Sequence, residues 1–236
     1  WPIFMIVLLA LTYWGSRSIK LVIMTFLAFV FIGYFKMWEE TMSTIAIILT
    51  SVIMAVAIGL PTGIAMSRSD RTQSIVTPIL DIMQTMPPFV YLIPIVMLMG
   101  IGKIPGLIAV VIYAIPPLIR LTNLGIREVD QEALEAADAF GATKRQKLFQ
   151  VQLPLALPTI FAGINQTIMM ALAMVIIASM IGVKGLGQPV LQSIYNQYFT
   201  KGVLYGLAIV IVAIVFDRVS QSYGQRIQKH RSGRLV

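Results

Sequence analysis

Apolar residues run in long blocks separated by short polar segments. Seven such stretches lie near 1–14, 19–35, 42–66, 75–101, 105–122, 159–182 and 202–217. A helix needs about 20 mainly apolar residues to cross a bilayer, within a range of about 17–25. The pattern therefore predicts an all-α integral membrane protein with seven transmembrane helices. The first stretch is short and starts without an initiator Met, which points to residues upstream. It lacks the basic leader and small-residue cleavage site of a signal peptide. The last is also short, and a basic tail follows that can anchor it. Met86-Pro87-Pro88 and Pro94 interrupt the fourth stretch, because proline removes a donor and bends a helix.

The longest hydrophilic segment is 123–158, which holds nine of the 28 charged residues. Within it Asp130 is a helix N-cap, with Glu132 and Glu135 in the early turns where the positive dipole end favours them. Ala133, Leu134, Ala137 and Phe140 recur at helical spacing and predict one apolar face. Gly141 stands where a left-handed C-cap belongs. Thr143 and Gln146 form a capping-box pattern for a second short helix through Phe149, which Leu153-Pro154 is expected to end. Two short helices meeting at Gly141 are either a solvated connection or a docking element for another protein. The small residues Ala136 and Ala137 favour docking.

Composition agrees with a lipid-embedded chain. Of 236 residues 58% are hydrophobic and 12% charged, and the mean hydropathy is +0.85. A water-soluble domain carries about 25% charged residues to cover its surface, so a soluble enzyme and a disordered chain are both excluded. The sequence has no Cys and a single His, His230, which removes thiol chemistry and His-rich metal sites from consideration.

The net charge of +8 is a matter of topology. Placing 15–20, 67–74, 119–158 and 218–236 in the cytoplasm puts 14 of the 18 basic residues there, leaving Lys36, Lys103, Lys184 and Lys201 outside. Cytoplasmic loops carry the Lys/Arg excess, so the N-terminus is expected outside and the C-terminus inside the cell membrane. No continuous basic face is offered to nucleic acid. The tail can also attract anionic lipid. Three regions are expected: an N-terminal transmembrane extension at 1–41, a core at 42–220 and the basic tail at 221–236. No internal repeat or low-complexity segment is visible.

A few polar residues enter the spans. Asp81 sits about 9 Å from the cytoplasmic end of the predicted helix. It is either a functional carboxylate or a structural partner of Arg120 or Asn165. Asn165 and Gln166 enter the sixth span at similar depth, where helix-to-helix hydrogen bonding competes with a solute contact. Gln84, Met86, Pro87 and Tyr91 surround the proline kink, which is either a packed bend or the gate of a pathway. Gly59-x-x-x-Gly63 and Gly202-x-x-x-Gly206 permit close helix approach. The loop 182–201, with three glycines and Tyr195 and Tyr198, is either a flexible connection or a contact for an external protein.

Glu135-Ala136-Ala137, three residues, Gly141, nine residues and Val151-Gln152-Leu153-Pro154 resemble the EAA signature of ABC importer permeases. Val151 stands where that family most often has Ile. The stretches 80–102, 115–126, 148–167 and 178–187 are similar to the glycine betaine/proline betaine (quaternary ammonium) branch. The resemblance implies a type I, MetI-like fold whose five core helices are the last five stretches, preceded by two N-terminal helices. It implies that Glu135, Ala136, Ala137, Phe140, Gly141, Leu153 and Pro154 belong to a coupling segment seated on an ATP-binding cassette subunit. It further implies two such ATPase subunits carrying ATP and Mg, a second permease copy (a homodimer) and an extracytoplasmic substrate-binding protein or fused domain. The sequence has no G-x-x-x-x-G-K-[ST] loop, so no catalysis and no cofactor are expected on this chain. The alternative is a secondary transporter or channel for small cationic or zwitterionic solutes. Such a protein needs midplane charges or broken-helix ends.

Overall fold

The computed structural model describes residues 18–232 and the isolated positions 5–6, 9–10 and 12–13, with side chains described as far as 224 apart from position 223. Most of the predicted span 1–14 and the last four residues of the basic tail lie outside the described residues. Every regular element described is a helix. The first, α1 (Ile19–Tyr34), is apolar and 16 residues long. Four continuous helical segments are long and apolar enough to cross a membrane, and a bent pair makes a fifth candidate.

The long apolar run after Lys36 forms α2 (Trp38–Arg68), with Glu39 and Glu40 in its first turn and Arg68 in its last. Those signs suit the helix dipole at both ends. Threonines enter it cheaply because their hydroxyls donate to carbonyls one turn back: Thr41 to Met37 at 2.7 Å and Thr62 to Ile58 at 2.7 Å.

The predicted fourth span is not one straight helix. Its residues form α3 (Asp70–Thr85) and α4 (Pro88–Met99), bent by 102°. Pro87 and Pro88 cannot donate to the preceding turn, and the Tyr91 hydroxyl donates across the bend to the carbonyl of Met83. Because α3 starts at Asp70, Asp81 lies about 16 Å along its helix. That is nearly twice the distance expected from the hydropathy edge.

Next come α5 (Lys103–Ala114) and α6 (Pro116–Arg127), which follow each other as one 25-residue span. The polar segment supplies α7 (Gln131–Ala139) and α8 (Lys144–Gln146). Contrary to expectation, Leu153-Pro154 does not end the second helix. A π-helical stretch, Lys147–Gln152, absorbs the donor missing at Pro154 and leads directly into α9 (Leu153–Ala178). The sixth span therefore runs from Lys144 to Ile181, 38 residues, and starts well before residue 159.

The loop 182–201 is also more ordered than expected. It contains α10 (Gly187–Tyr195), with Gly187, Pro189 and Ser193 buried. Thr44 Oγ1 accepts the Leu186 backbone N–H at 2.8 Å, pinning this segment to α2. The last helix is α11 (Phe199–Ser232).

In lipid, apolar burial does not by itself drive helices together, so packing is governed by small residues that let backbones approach. Gly63 shows this: an added Cβ would lie 2.6 Å from Thr122 Cβ and 2.8 Å from the Ile119 carbonyl oxygen on α6. The second predicted pair behaves differently. Gly202 faces Ser193, but an added Cβ at Gly206 would meet nothing within 4 Å. The main core joins Ile47 and Ile48 of α2, Ala109 and Val110 of α5, Met174 and Val175 of α9 and Ala208 and Val212 of α11.

Candidate functional site

Two polar constellations stand out from the apolar bundle. The first is the α7–α8 hairpin at the end of α6. Asp130 Oδ1 accepts the Glu132 N–H at 3.0 Å, starting α7. The helix stops at Gly141, whose φ is +73°. There the Gly141 N–H donates to the Asp138 carbonyl at 2.9 Å and the Ala142 N–H to the Ala137 carbonyl at 3.0 Å. This paired bonding is a Schellman motif, which needs a left-handed residue at that point. The chain restarts at once. Thr143 Oγ1 accepts the Gln146 N–H at 3.3 Å, and Gln146 Oε1 accepts the Thr143 N–H at 2.9 Å. Lys147 Nζ then bridges to Asp138 at 2.5 Å across the hairpin.

The hairpin is thus a self-locked corner. Its return limb is anchored by Leu148, 2% exposed, in a cluster with Leu118, Ile126 and Ile160, against which Leu153 packs. Pro154 is half-buried in the following turn. Ala133, Leu134 and Ala137 are half-buried. Phe140 does not join their face as expected: it is 91% exposed, because it is the C-cap residue where the helix turns away. Glu135 and Ala136 are exposed beside it. The outer surface therefore offers an acid, small residues and an unpartnered aromatic ring.

Arg127 ties this corner to the bundle. Its Nη2 donates to the Met66 carbonyl at the end of α2 at 3.0 Å and meets Asp70 Oδ1 at 2.7 Å; its Nε donates to Asn123 at 3.2 Å. Asp70 is 91% exposed, so that ion pair adds little, about 0–1 kcal/mol. The bond to Met66, which is 1% exposed, carries more, because a charged donor to a backbone carbonyl contributes about 1.5–3 kcal/mol. Arg127→Gln is therefore expected to lower the melting temperature in detergent clearly more than Asp70→Asn does. Equal effects would show that the ion pair dominates.

The second constellation lies between α3, α6 and α9. Arg120 pairs with Asp81, the partner that sequence reading offered beside Asn165. Asn165 is used elsewhere: its Nδ2 donates to Asp217 of α11 at 3.4 Å, and Gln221 donates to the same carboxylate oxygen at 2.7 Å. Gln84 and Gln166 line an open cavity of about 410 Å3 with Arg120. Met86 is half-buried and Pro87 is exposed at the bend. Tyr91 is 6% exposed and stacks edge-on with Tyr113, ring centres 5.7 Å apart. Tyr91 is thus committed to holding the kink and does not line that cavity.

Sequence reading missed Arg120 as a cavity residue, Arg127 as a tie and Asp217 as a buried-side acceptor. One signal was available. Asp70, Gln73, Thr77, Asp81 and Gln84 are spaced 3, 4, 4 and 3 apart, a polar stripe along α3. Among the described residues no group of His, Cys, Asp or Glu could hold a metal ion.

Long apolar helices, a broken span and a locked polar corner at one end define a polytopic membrane protein. The chain belongs to the family of binding-protein-dependent transport system inner membrane components, whose model matches residues 55–229. It is 50% identical over 220 residues to the glycine betaine/proline betaine transport system permease protein ProW of Salmonella typhimurium. That match covers 93% of this chain and 62% of ProW. It is 49% identical over 218 residues to the glycine betaine transport system permease protein OpuAB of Bacillus subtilis, covering 92% of this chain and 77% of that one. The fold is shared with the MetNI methionine ABC transporter in an inward-facing conformation (TM-score 0.74, 22% identity, 81% of this chain and 95% of the other).

Proposed function

We propose that this chain is the transmembrane permease subunit of an ATP-driven importer for glycine betaine/proline betaine-type solutes. The observation that carries the coupling role is the α7–α8 hairpin. It is rigidly capped on both sides of Gly141 yet exposes Glu135, Ala136 and Phe140. A corner that only joined two spans would not need a Schellman motif, a capping box and a lysine bridge to fix its angle. Near-50% identity to ProW and OpuAB supports the solute class.

In this reading Glu135, Ala136, Ala137, Phe140 and Gly141 seat on an ATP-binding cassette subunit, and Leu153 and Pro154 continue that motion into α9. Two ATPase subunits bind and hydrolyse ATP with Mg, and no bond is made or broken by this chain. A second copy completes the pathway, and an extracytoplasmic binding protein or domain delivers solute. The hairpin lies in the cytoplasm, with the N-terminus outside and the C-terminus inside the cell membrane. Closure of the ATPase pair moves the hairpins, and rigid-body rocking of the attached helices switches access.

Mild-detergent purification is expected to bring down an ATPase subunit and a solute-binding protein. Proteoliposomes of that complex are expected to take up glycine betaine only when ATP is supplied. Uptake that persists without ATP would identify a secondary transporter or channel instead.

A further inference from the structure

The polar stripe of α3 and the Asp81–Arg120 pair lie outside the hairpin residues assigned to coupling. Both charges are partly open: the Arg120 side chain is 36% exposed and that of Asp81 57%. Arg120 faces a cavity of about 410 Å3 together with Gln73, Thr77 and Gln84 of α3 and Gln166 of α9. That volume is within the range of small-molecule sites, about 300–1,000 Å3. The guanidinium spends one hydrogen bond on Asp81, and its buried Nε has no partner. A guanidinium has five donors in a planar fork suited to carboxylates, so Arg120 holds capacity for a second one.

We propose that the Asp81–Arg120 pair is a transit site for zwitterionic solutes, opened by exchange of its ions. This rests on the transport reading above and assigns the charge class that the pathway passes. A solute with a carboxylate at one end and a quaternary ammonium at the other inserts between the two side chains. Its carboxylate takes the Arg120 donors, and its ammonium faces Asp81. Every charge keeps a counter-ion, so no isolated charge is left in a low-dielectric setting. A cation lacking the carboxylate leaves Arg120 unpaired beside a like charge, which disfavours it. Because one ion pair is exchanged for two weaker contacts, the net gain is small. Weak binding is what a pathway needs, since a solute must leave as well as arrive.

The sequence has no Cys, so a single introduced thiol reports on the cavity without background. In the complete transporter in nanodiscs, Thr77→Cys is labelled with a small thiol reagent. Glycine betaine is expected to slow labelling at least threefold, and choline at the same concentration is expected to leave it unchanged. Adding Arg120→Gln to Thr77→Cys should abolish the protection, and Arg120→Lys should keep part of it. Absence of protection by glycine betaine would overturn the site, while ATP-dependent uptake by the unsubstituted complex would show that the transport reading still stands. Equal protection by choline would overturn the charge-exchange argument. Asp81→Asn supplies the remaining discrimination. A lowered melting temperature with the betaine-over-choline difference intact would make the pair a helix tie only.

Discussion

Gly141→Asp is expected to abolish solute-stimulated ATP hydrolysis in the reconstituted complex, with the subunit still inserted and folded. Gly141 has φ +73°, where a side chain costs about 1–2 kcal/mol. No atom lies within 4 Å of an added Cβ, so the substitution strains the corner without a clash in the bundle. The new carboxylate also sits at the negative end of α7, which is unfavourable, and close to Asp138 in sequence. Gly141→Ala has similar strain and no charge, and is expected to retain part of the stimulation. Glu135→Lys tests the same surface by another route. Glu135 is exposed, and exposed substitutions away from special features usually stay within about 0.5 kcal/mol. A melting temperature unchanged in Glu135→Lys alongside lost ATPase stimulation therefore reads contact with a partner. Full coupled uptake in both variants would remove the hairpin from the mechanism.

Gly63→Leu is expected to eliminate the folded protein. An added Cβ falls 2.6 Å from Thr122 Cβ and 2.8 Å from a backbone oxygen of α6. The oxygen cannot move without displacing the helix. Overpacking a tight site costs about 1–3 kcal/mol or more, and the effect here is larger because α2 and α6 must separate along their length. Arg127, which binds the Met66 carbonyl a few residues further on, is displaced with them. Size-exclusion chromatography in mild detergent is expected to show aggregate and little monodisperse complex. Gly206→Leu is the control. An added Cβ at Gly206 meets no atom within 4 Å, so the yield of this variant is expected to match the unsubstituted chain. Equal yields from the two variants would show that the α2–α6 contact does not hold the bundle.

The two glycine pairs illustrate what could be read in advance. Both match the same small-residue spacing, and Gly59, Gly63 and Gly202 each face a neighbouring helix, yet an added Cβ at Gly206 meets no atom within 4 Å. Spacing records that an approach is permitted, and it does not say whether a neighbour is there. The hairpin was far more legible. Asp130, Gly141, Thr143 and Gln146 act through bonds to residues two to five positions away, so local order was enough to predict caps and corner. Phe140 escaped that reading because the cap turns it outward.

Length, hydropathy and local capping chemistry determined that this chain is a multi-helix membrane protein with an ordered polar corner. The number and order of the core helices followed from the same run lengths once the bent pair is counted as one. Tertiary structure alone decided three other matters. It bent α3 and α4 by 102°, carried α9 back through Pro154 to the hairpin, and set Arg120 opposite Asp81. Proline spacing marks where a helix is weak, but the angle depends on what packs against it, here Tyr91 reaching back to Met83. An ion pair between residues 39 positions apart depends on how α3 and α6 lie against each other, and no local pattern encodes that.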